Sequence, residues 1–193
     1  MTNYGELLAA VASWMDRDDL TSVLPSFVAL AEEDMQRHLR VREMEQDFTA
    51  TTDGRRALLP AGFLAFKTLY QQGRAVSPLQ VQSVEQVNAA SGDALAMYAI
   101  DGAHLLLNAD AGVQGVMYQA ATALSATQPT NALLAVYPSL YLFGALRYAC
   151  AYVRDGEGEL AHAAQFQQKV EAANNMDAGS RFAGALRSRL ARL

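Results

Sequence analysis

The chain has 193 residues, a formal net charge of −5 and a single cysteine. That length allows one domain, or one domain with an insertion, to bury its own core. One cysteine excludes an internal disulfide framework and a cysteine-based zinc site, and an acidic chain is not expected to grip nucleic acid over its whole surface. We expect neither a secretory signal nor a transmembrane helix, because the sequence has neither of the apolar patterns that mark them.

The chain is also poor in charge. Charged residues make up 18% of the sequence, below the roughly 25% of ordinary globular proteins. Depletion of charge is typical of surfaces that are buried between subunits, so the composition favours subunit interfaces. An alanine-rich helical protein would have the same composition, and the sequence leaves both interpretations open.

Two helices are predicted in residues 1–45. Asn3 and Glu6 have the spacing of a capping pair at the first helix start, and Pro25 fits the first turn of the second helix. The apolar stripe of that second helix is formed by Phe27, Leu30, Ala31, Met35 and Leu39. We expect the two helices to pack as an antiparallel hairpin, with a solvent-facing acidic group made of Glu32, Glu33 and Asp34.

Residues 46–128 have the pattern of a small antiparallel sheet or barrel. Short apolar runs alternate there with tight-turn signals such as Asp53-Gly54 and Asp101-Gly102. Strands are predicted from Phe63 to Tyr70 and in a hairpin around the second of these turns, and a short helix is predicted from Ser83 to Ala89. The topology of residues 71–96 is left open by the sequence.

Helical patterning returns in residues 129–176. An apolar helix that begins near Asn131 is followed, after Asp155-Gly156-Glu157-Gly158, by an amphipathic helix that ends near Met176. The predicted fold is α+β and mainly α: a four-helix bundle of two N-terminal and two C-terminal helices, with a β-rich insertion. Residues 177–193 carry four arginines and one acid, and we predict a flexible, basic C-terminal arm.

Motifs for catalysis or cofactor binding are absent from the sequence. His38, His104 and His162 do not have the spacing of metal ligands, and Cys150 lies among apolar and aromatic residues rather than in the electropositive setting of a reactive thiol. A glycine-rich phosphate loop and a nucleophile elbow are missing as well. We therefore expect a protein that is not an enzyme and has no cofactor or metal, while an enzyme built around Cys150 or His38 is the alternative.

Two charged groups have a structural and a functional interpretation. The first lies at the end of the second helix, where basic residues either stabilise the helix terminus or form ion pairs between subunits: Arg37, Arg40, Arg42, Glu43 and Glu45. The second lies in the C-terminal arm, which is either a solvated tail, a docking segment that orders on a partner or a DNA contact: Arg181, Phe182, Leu186, Arg187, Arg189, Leu190, Arg192 and Leu193.

Short motifs follow one another in order along the whole chain. The N-terminal ones are Tyr4-Gly5-x-Leu7, Trp14-x-Asp16-Arg17-x-Asp19-Leu20, Phe27-x-x-Leu30-Ala31-Glu32 and Leu39-Arg40-Val41-Arg42-x-Met44-Glu45. The later ones are Leu59-Pro60-x-x-Phe63-Leu64 and Tyr137-Pro138-x-Leu140-Tyr141-Leu142-x-Gly144-Ala145-Leu146. This series resembles the phage head–tail adaptor proteins, also called connector or head completion proteins. Gly62 stands where the family usually has Asp, and Phe143 where it has Tyr.

The resemblance implies a structural protein of the virion neck, made in the host cytoplasm. Such adaptors bind the portal protein as a ring, usually of twelve copies, that extends the DNA channel toward the tail or nozzle protein. Double-stranded DNA then passes through without specific binding, and no membrane is involved. Residues 177–193 would be the portal-docking arm. The alternative is a tail-completion or other partner-binding helical protein that does not contact the portal.

Overall fold

The computed structural model describes residues 1–17, 19–74, 77–92 and 94–190, and for residues 177–190 it describes the backbone alone. The chain forms two compact units. Unit 1 combines Met1–Met44 with the chain from Ala121 onward, and unit 2 is Glu45–Ala120. Unit 2 is therefore an insertion, in sequence, between the two parts of unit 1. The described residues form a mixed fold of the α+β class.

The helices and strands are as follows. In chain order the helices are α1 (Tyr4–Met15), α2 (Leu24–His38), α3 (Val84–Ala89), α4 (Ala132–Val136), α5 (Pro138–Tyr152) and α6 (Gly156–Leu190), with a 3-10 turn at Arg42–Met44. The strands are β1 (Glu45–Thr51), β2 (Arg56–Leu58), β3 (Phe63–Gln71), β4 (Gln80–Val81), β5 (Met97–Asp101), β6 (His104–Leu107) and β7 (Gly112–Gln119).

Helix α5 is the centre of unit 1. Helices α1, α2, α4 and α6 all contact it, and its sequence is apolar on several faces, as a helix surrounded by other helices requires. Gly144 marks the closest approach: a Cβ built there would lie 2.8 Å from the Cβ of Ala31 in α2 and 3.2 Å from Cε2 of Phe166 in α6. The helices on either side can approach α5 this closely because residue 144 has no side chain.

The predicted four-helix bundle is wrong. The segment before Pro138 forms the separate helix α4, because Tyr137 takes the non-helical angles φ −124 and ψ 54. A residue before proline is disfavoured in helical geometry, so the apolar run from Asn131 is divided in two. Helices α1 and α2 also pack mainly against α5, with much less contact between them.

The predicted end of the last helix is wrong as well. Helix α6 runs without a break from Gly156 to Leu190, although the sequence suggested an end near Met176. Its start is favourable, since Asp155 Oδ1 accepts the N–H of Gly158 at 3.0 Å. Glu157 and Glu159 lie in its first turn, where negative charge stabilises a helix.

The described residues of unit 2 form two sheets. Sheet A has the strand order β1-β7-β3 and is antiparallel. Sheet B has the order β2-β6-β5-β4, and its pair β4–β5 is parallel, unlike the antiparallel pairing that we expected. The reason is α3, which connects these two strands in sequence, because parallel neighbours need such a crossover. Ser83 and Gln86 form a full capping box at the start of α3.

An apolar cluster forms the core of unit 2. It includes an aromatic group from both sheets, in which Phe66 lies 5.0 Å from Phe48 and 5.5 Å from Tyr98, measured between ring centroids. Gly62 occupies the turn between β2 and β3 with φ +74, a left-handed conformation that suits glycine. Its carbonyl oxygen accepts the N–H of Ala120 at 2.8 Å.

Asn108 organises the segment that precedes β5. Its buried side chain accepts the N–H groups of Ala96 and Met97 at 3.1 and 3.2 Å, and it donates to the carbonyl of Ala94 at 3.0 Å. A buried amide satisfied in this way fixes the surrounding backbone. The sequence does not show this role of Asn108, because polar residues often follow strands and its partners lie more than ten residues away.

Candidate interaction surfaces

The basic residues at the end of α2 have different environments. Arg37 pairs with Glu33 and lies 3.9 Å from Asp34, while its side chain remains 63% exposed. Arg40 instead turns back on α2, where its Nη1 donates to the carbonyls of Gln36 and Leu39 at 2.7 and 2.6 Å. Arg40 therefore stabilises the helix terminus of its own chain.

The remaining members of this predicted group are divided between the two units. Arg42 is 76% exposed and lies 3.7 Å from Glu43, and Glu43 accepts the hydroxyl of Tyr137 at 3.3 Å. Glu45 belongs to unit 2, where it pairs with Lys67 at 2.8 Å. Within unit 1, Arg37 and Arg42 are thus the members with the most exposed side chains for a partner.

A partly buried ion pair joins α2 to α5. Arg147 pairs with Asp34, and the hydroxyl of Tyr148 donates to the same carboxylate at 2.5 Å. The guanidinium also lies over the ring of Phe166, 4.7 Å from its centroid, in cation–π geometry. Sequence reasoning missed this arrangement and expected Asp34 to face solvent, although a lone arginine within an apolar helix is a signal for a buried partner.

Glu32 is buried, which corrects the expectation that it faces solvent. Its Oε1 accepts the N–H of Leu124 at 2.9 Å, and a cavity with room for about one water molecule adjoins it and Tyr141. Asn131 Nδ2 donates to the Tyr141 hydroxyl at 2.8 Å. Burial raises the pKa of Glu32, while its hydrogen bonds from Leu124 and Tyr141 oppose that rise.

The raised pKa has a definite consequence for stability. The folded state favours the protonated form of Glu32 more than the unfolded chain does. The stabilisation linked to this group is therefore full below the ordinary pKa of glutamate and is lost as the pH rises through the raised value. Glu32 is thus a buried acid whose ionisation opposes folding.

Trp14, the one tryptophan of the chain, lies on the surface of unit 1 and is 58% exposed. Its ring meets Phe143 edge-on at 5.8 Å and lies 6.3 Å from His162. Exposed tryptophans are enriched among the residues that dominate binding interfaces. The contact with α5 and α6 also makes this tryptophan a fluorescence reporter of unit 1.

The predicted docking residues lie at the end of α6. Arg181, Phe182, Leu186, Arg187, Arg189 and Leu190 fall within its helical backbone. Arg192 and Leu193 lie outside the described residues. Before this segment, Ala173 is buried. Asn174 bonds to the end of α2, where its Oδ1 accepts the N–H of Arg40 and its Nδ2 donates to the carbonyl of His38.

The groups considered for catalysis are dispersed. Cys150 is buried, with its sulfur 3.9 Å from that of Met15, and burial raises the pKa of its thiol. Burial lowers the pKa of His162. Among the described residues, no cluster of three His, Cys, Asp or Glu could hold a metal ion, and no described helix is long and apolar enough to cross a membrane.

Comparison with known families identifies the kind of protein. The match is to a family of phage adaptor proteins, and it extends over residues 2–189. The chain belongs to the SU10 adaptor protein family. No curated protein matches the chain at a significant level. Membership agrees with the resemblance seen in the sequence, and it implies a place in the virion at the head–tail junction, in contact with other virion proteins of the portal or tail.

Proposed function

We propose that the protein binds beneath the portal as a ring of identical copies, twelve by analogy with other adaptors, and that this ring extends the DNA channel toward the tail. The family match over nearly the whole chain carries the proposal. The role is structural rather than enzymatic, and the protein is made in the host cytoplasm. DNA passes through the lumen without specific binding, which suits a chain with a net charge of −5.

The length of α6 supports a docking arm. This helix has 35 residues, against 15 in α5, or about 52 Å against about 22 Å. Because the packing described above reaches Asn174, roughly four turns of helix follow it. The four-residue spacing of Phe182, Leu186 and Leu190 is that of one apolar helix face. We propose that this face and the neighbouring arginines dock on an acidic, grooved surface of the portal.

The charges of unit 1 support head-to-tail contacts between copies. A ring needs two different faces on each subunit. Arg37 and Arg42 are exposed near the end of α2, and an acidic group lies exposed at the start of α6: Asp155, Glu157 and Glu159. We propose that the basic face of one copy meets an acidic face of the next.

Mixing the protein with purified portal rings tests the proposal. The full chain should co-migrate with the portal, whereas a chain that ends at Met176 should not. The shortened chain should keep the Trp14 fluorescence and the unfolding midpoint of the full chain, because α6 packs on α5 before that residue. If the full chain does not bind the portal but binds a tail protein, the proposal is wrong. The protein would then be a tail-completion or other partner-binding protein.

A further inference from the structure

The four edge strands that the structure describes in unit 2 differ in how they are protected against pairing with another chain. In sheet B, the edges β2 and β4 are three and two residues long. In sheet A, β3 contains two register shifts within nine residues. Short strands and bulges are established ways of blocking an edge. Strand β1 has neither: its seven residues pair with β7 in one unbroken register, from Glu45–Tyr118 to Thr51–Gly112.

The outward backbone groups of β1 can be assigned from the ladder. Next to β1, the N–H of Thr52 donates to the carbonyl of Ala111 at 3.2 Å, and on the other side of β7 the carbonyl of Gly112 accepts the N–H of Gln72 at 2.8 Å. Because the direction of these groups alternates along a strand, Phe48 and Ala50 bond to β7. Asp47, Thr49 and Thr51 then direct their N–H and C=O groups away from it, and all three are exposed.

We propose that β1 pairs with the β1 strand of a second copy, antiparallel and about a two-fold axis that passes through Thr49. This proposal goes beyond the ring, because a two-fold contact closes on itself and cannot build a head-to-tail ring. It concerns the free protein before it reaches the portal. The docking arm belongs to unit 1, so the two proposals use different parts of the chain.

Charge and side-chain size favour a second copy in this register. Asp47 lies opposite Thr51 of the partner strand, so the two Asp47 carboxylates are not directly opposed. Like charges placed directly opposite would destabilise the pair. On the other side of the sheet, Phe48 meets the small Ala50 of the partner strand. Three exposed residues on each strand supply the main-chain hydrogen bonds, which is the contact made in strand addition.

The expected dimer is weak. Three pairs of residues give an interface well below the size of a stable complex. We expect dissociation constants on the order of micromolar to millimolar, so the dimer is populated only at high protein concentration. Such an interaction shields an edge that would otherwise be open to unwanted pairing.

Amide hydrogen exchange tests the pairing in the full chain. As the protein concentration rises, exchange of the Asp47, Thr49 and Thr51 amides should slow at least several-fold, together with a rise in mass by sedimentation velocity. The amides of Phe48 and Ala50 are an internal control, because they are bonded to β7 in the monomer as well. Unchanged exchange at Asp47, Thr49 and Thr51, or a monomer throughout, would overturn the proposal. Protection that appears on addition of portal alone would also overturn it and would assign the edge to another protein.

Substitutions at the edge test the register. Thr49→Pro removes an outward N–H and is compatible with an edge strand, so it should weaken the dimer at least tenfold, while the matched Thr49→Val should not. Thr51→Lys should tighten the dimer about two- to thirty-fold, because it meets Asp47 twice, and Thr51→Glu should weaken it by a similar factor. Equal effects of the two Thr51 variants would contradict the register. Portal binding should be the same for all four variants.

Discussion

The close packing at Gly144 can be tested by adding one methyl group. Alanine is favoured over glycine inside a helix by about 1 kcal/mol, so Gly144→Ala would stabilise an exposed helix. Here the new Cβ would lie 2.8 Å from the Cβ of Ala31 and 3.2 Å from the ring of Phe166. Overpacking a core typically costs about 1–3 kcal/mol, and the close atom at residue 31 is held by helix α2. Because that atom cannot move aside without shifting α2, the cost falls in the upper part of this range, about 2–3 kcal/mol. We therefore expect a net loss of about 1–2 kcal/mol in the free energy of unfolding of unit 1.

Trp14 fluorescence during urea unfolding measures this change in unit 1, because Trp14 contacts α5 and α6. Gly156→Ala is the matched control: a Cβ there meets nothing within 4 Å, so that variant should be at least as stable as the wild type. Ala31→Gly should destabilise the wild type but cost less in the Gly144→Ala background, with a coupling of about 1 kcal/mol. A Gly144→Ala variant as stable as the control, or additive effects of the two substitutions, would refute the steric reasoning.

Three further predictions concern buried polar and close-packed positions. The stability of Glu32→Gln, relative to the wild type, should increase as the pH rises above the ordinary pKa of glutamate, because glutamine does not titrate. Urea unfolding midpoints of the two proteins across a pH series measure this difference. A difference that does not change with pH would contradict the raised pKa of Glu32. Gly115→Ala should destabilise sheet A by several kcal/mol, because its Cβ would lie against the backbone carbonyl of Thr68. Gly112→Ala should cost less, because its Cβ would meet the flexible side chain of Gln72. Circular dichroism during unfolding compares the stability of the two variants. Asn108→Asp should cost about 3 kcal/mol or more and speed hydrogen exchange in residues 94–97, because it loses the amide donor and buries a charge.

The sequence predicted correctly those features in which a side chain acts on residues close to it in the chain. The cap formed by Asn3 is present, with its side chain accepting the N–H of Glu6 at 2.9 Å. Pro25 lies in the first turn of α2 as predicted. The strand predicted from Phe63 corresponds to β3, and the predicted hairpin corresponds to β5 and β6. These features depend on contacts within a few residues, which a sequence displays directly.

Features that depend on distant partners were not predicted. Glu32 lies beside other acids in the sequence, and the N–H that its buried carboxylate accepts belongs to Leu124, which is 92 residues away. The parallel pairing of β4 depends on where β5 lies. Helix α6 continues past Met176 although the segment that follows contains two glycines, each of which destabilises a helix by about 1 kcal/mol. Those glycines were the reason for expecting an earlier end.

The sequence located the charged residues at the end of α2, but it did not show which of them bond within their own chain. Arginines at the end of a helix have two uses, and the structure shows Arg40 bonded to carbonyls of its own helix end. Arg37 and Arg42 remain exposed. A sequence shows that charges cluster, but whether each charge is used within the chain depends on the carbonyls and carboxylates that folding brings within reach.

The native mass of the protein with its cognate portal ring tests the central claim most directly. The account predicts a saturated complex that carries about one copy of this chain per portal subunit, with no larger assembly in the absence of portal beyond the weak dimer. A portal mass that does not change on addition of excess protein would contradict the adaptor ring beneath the portal.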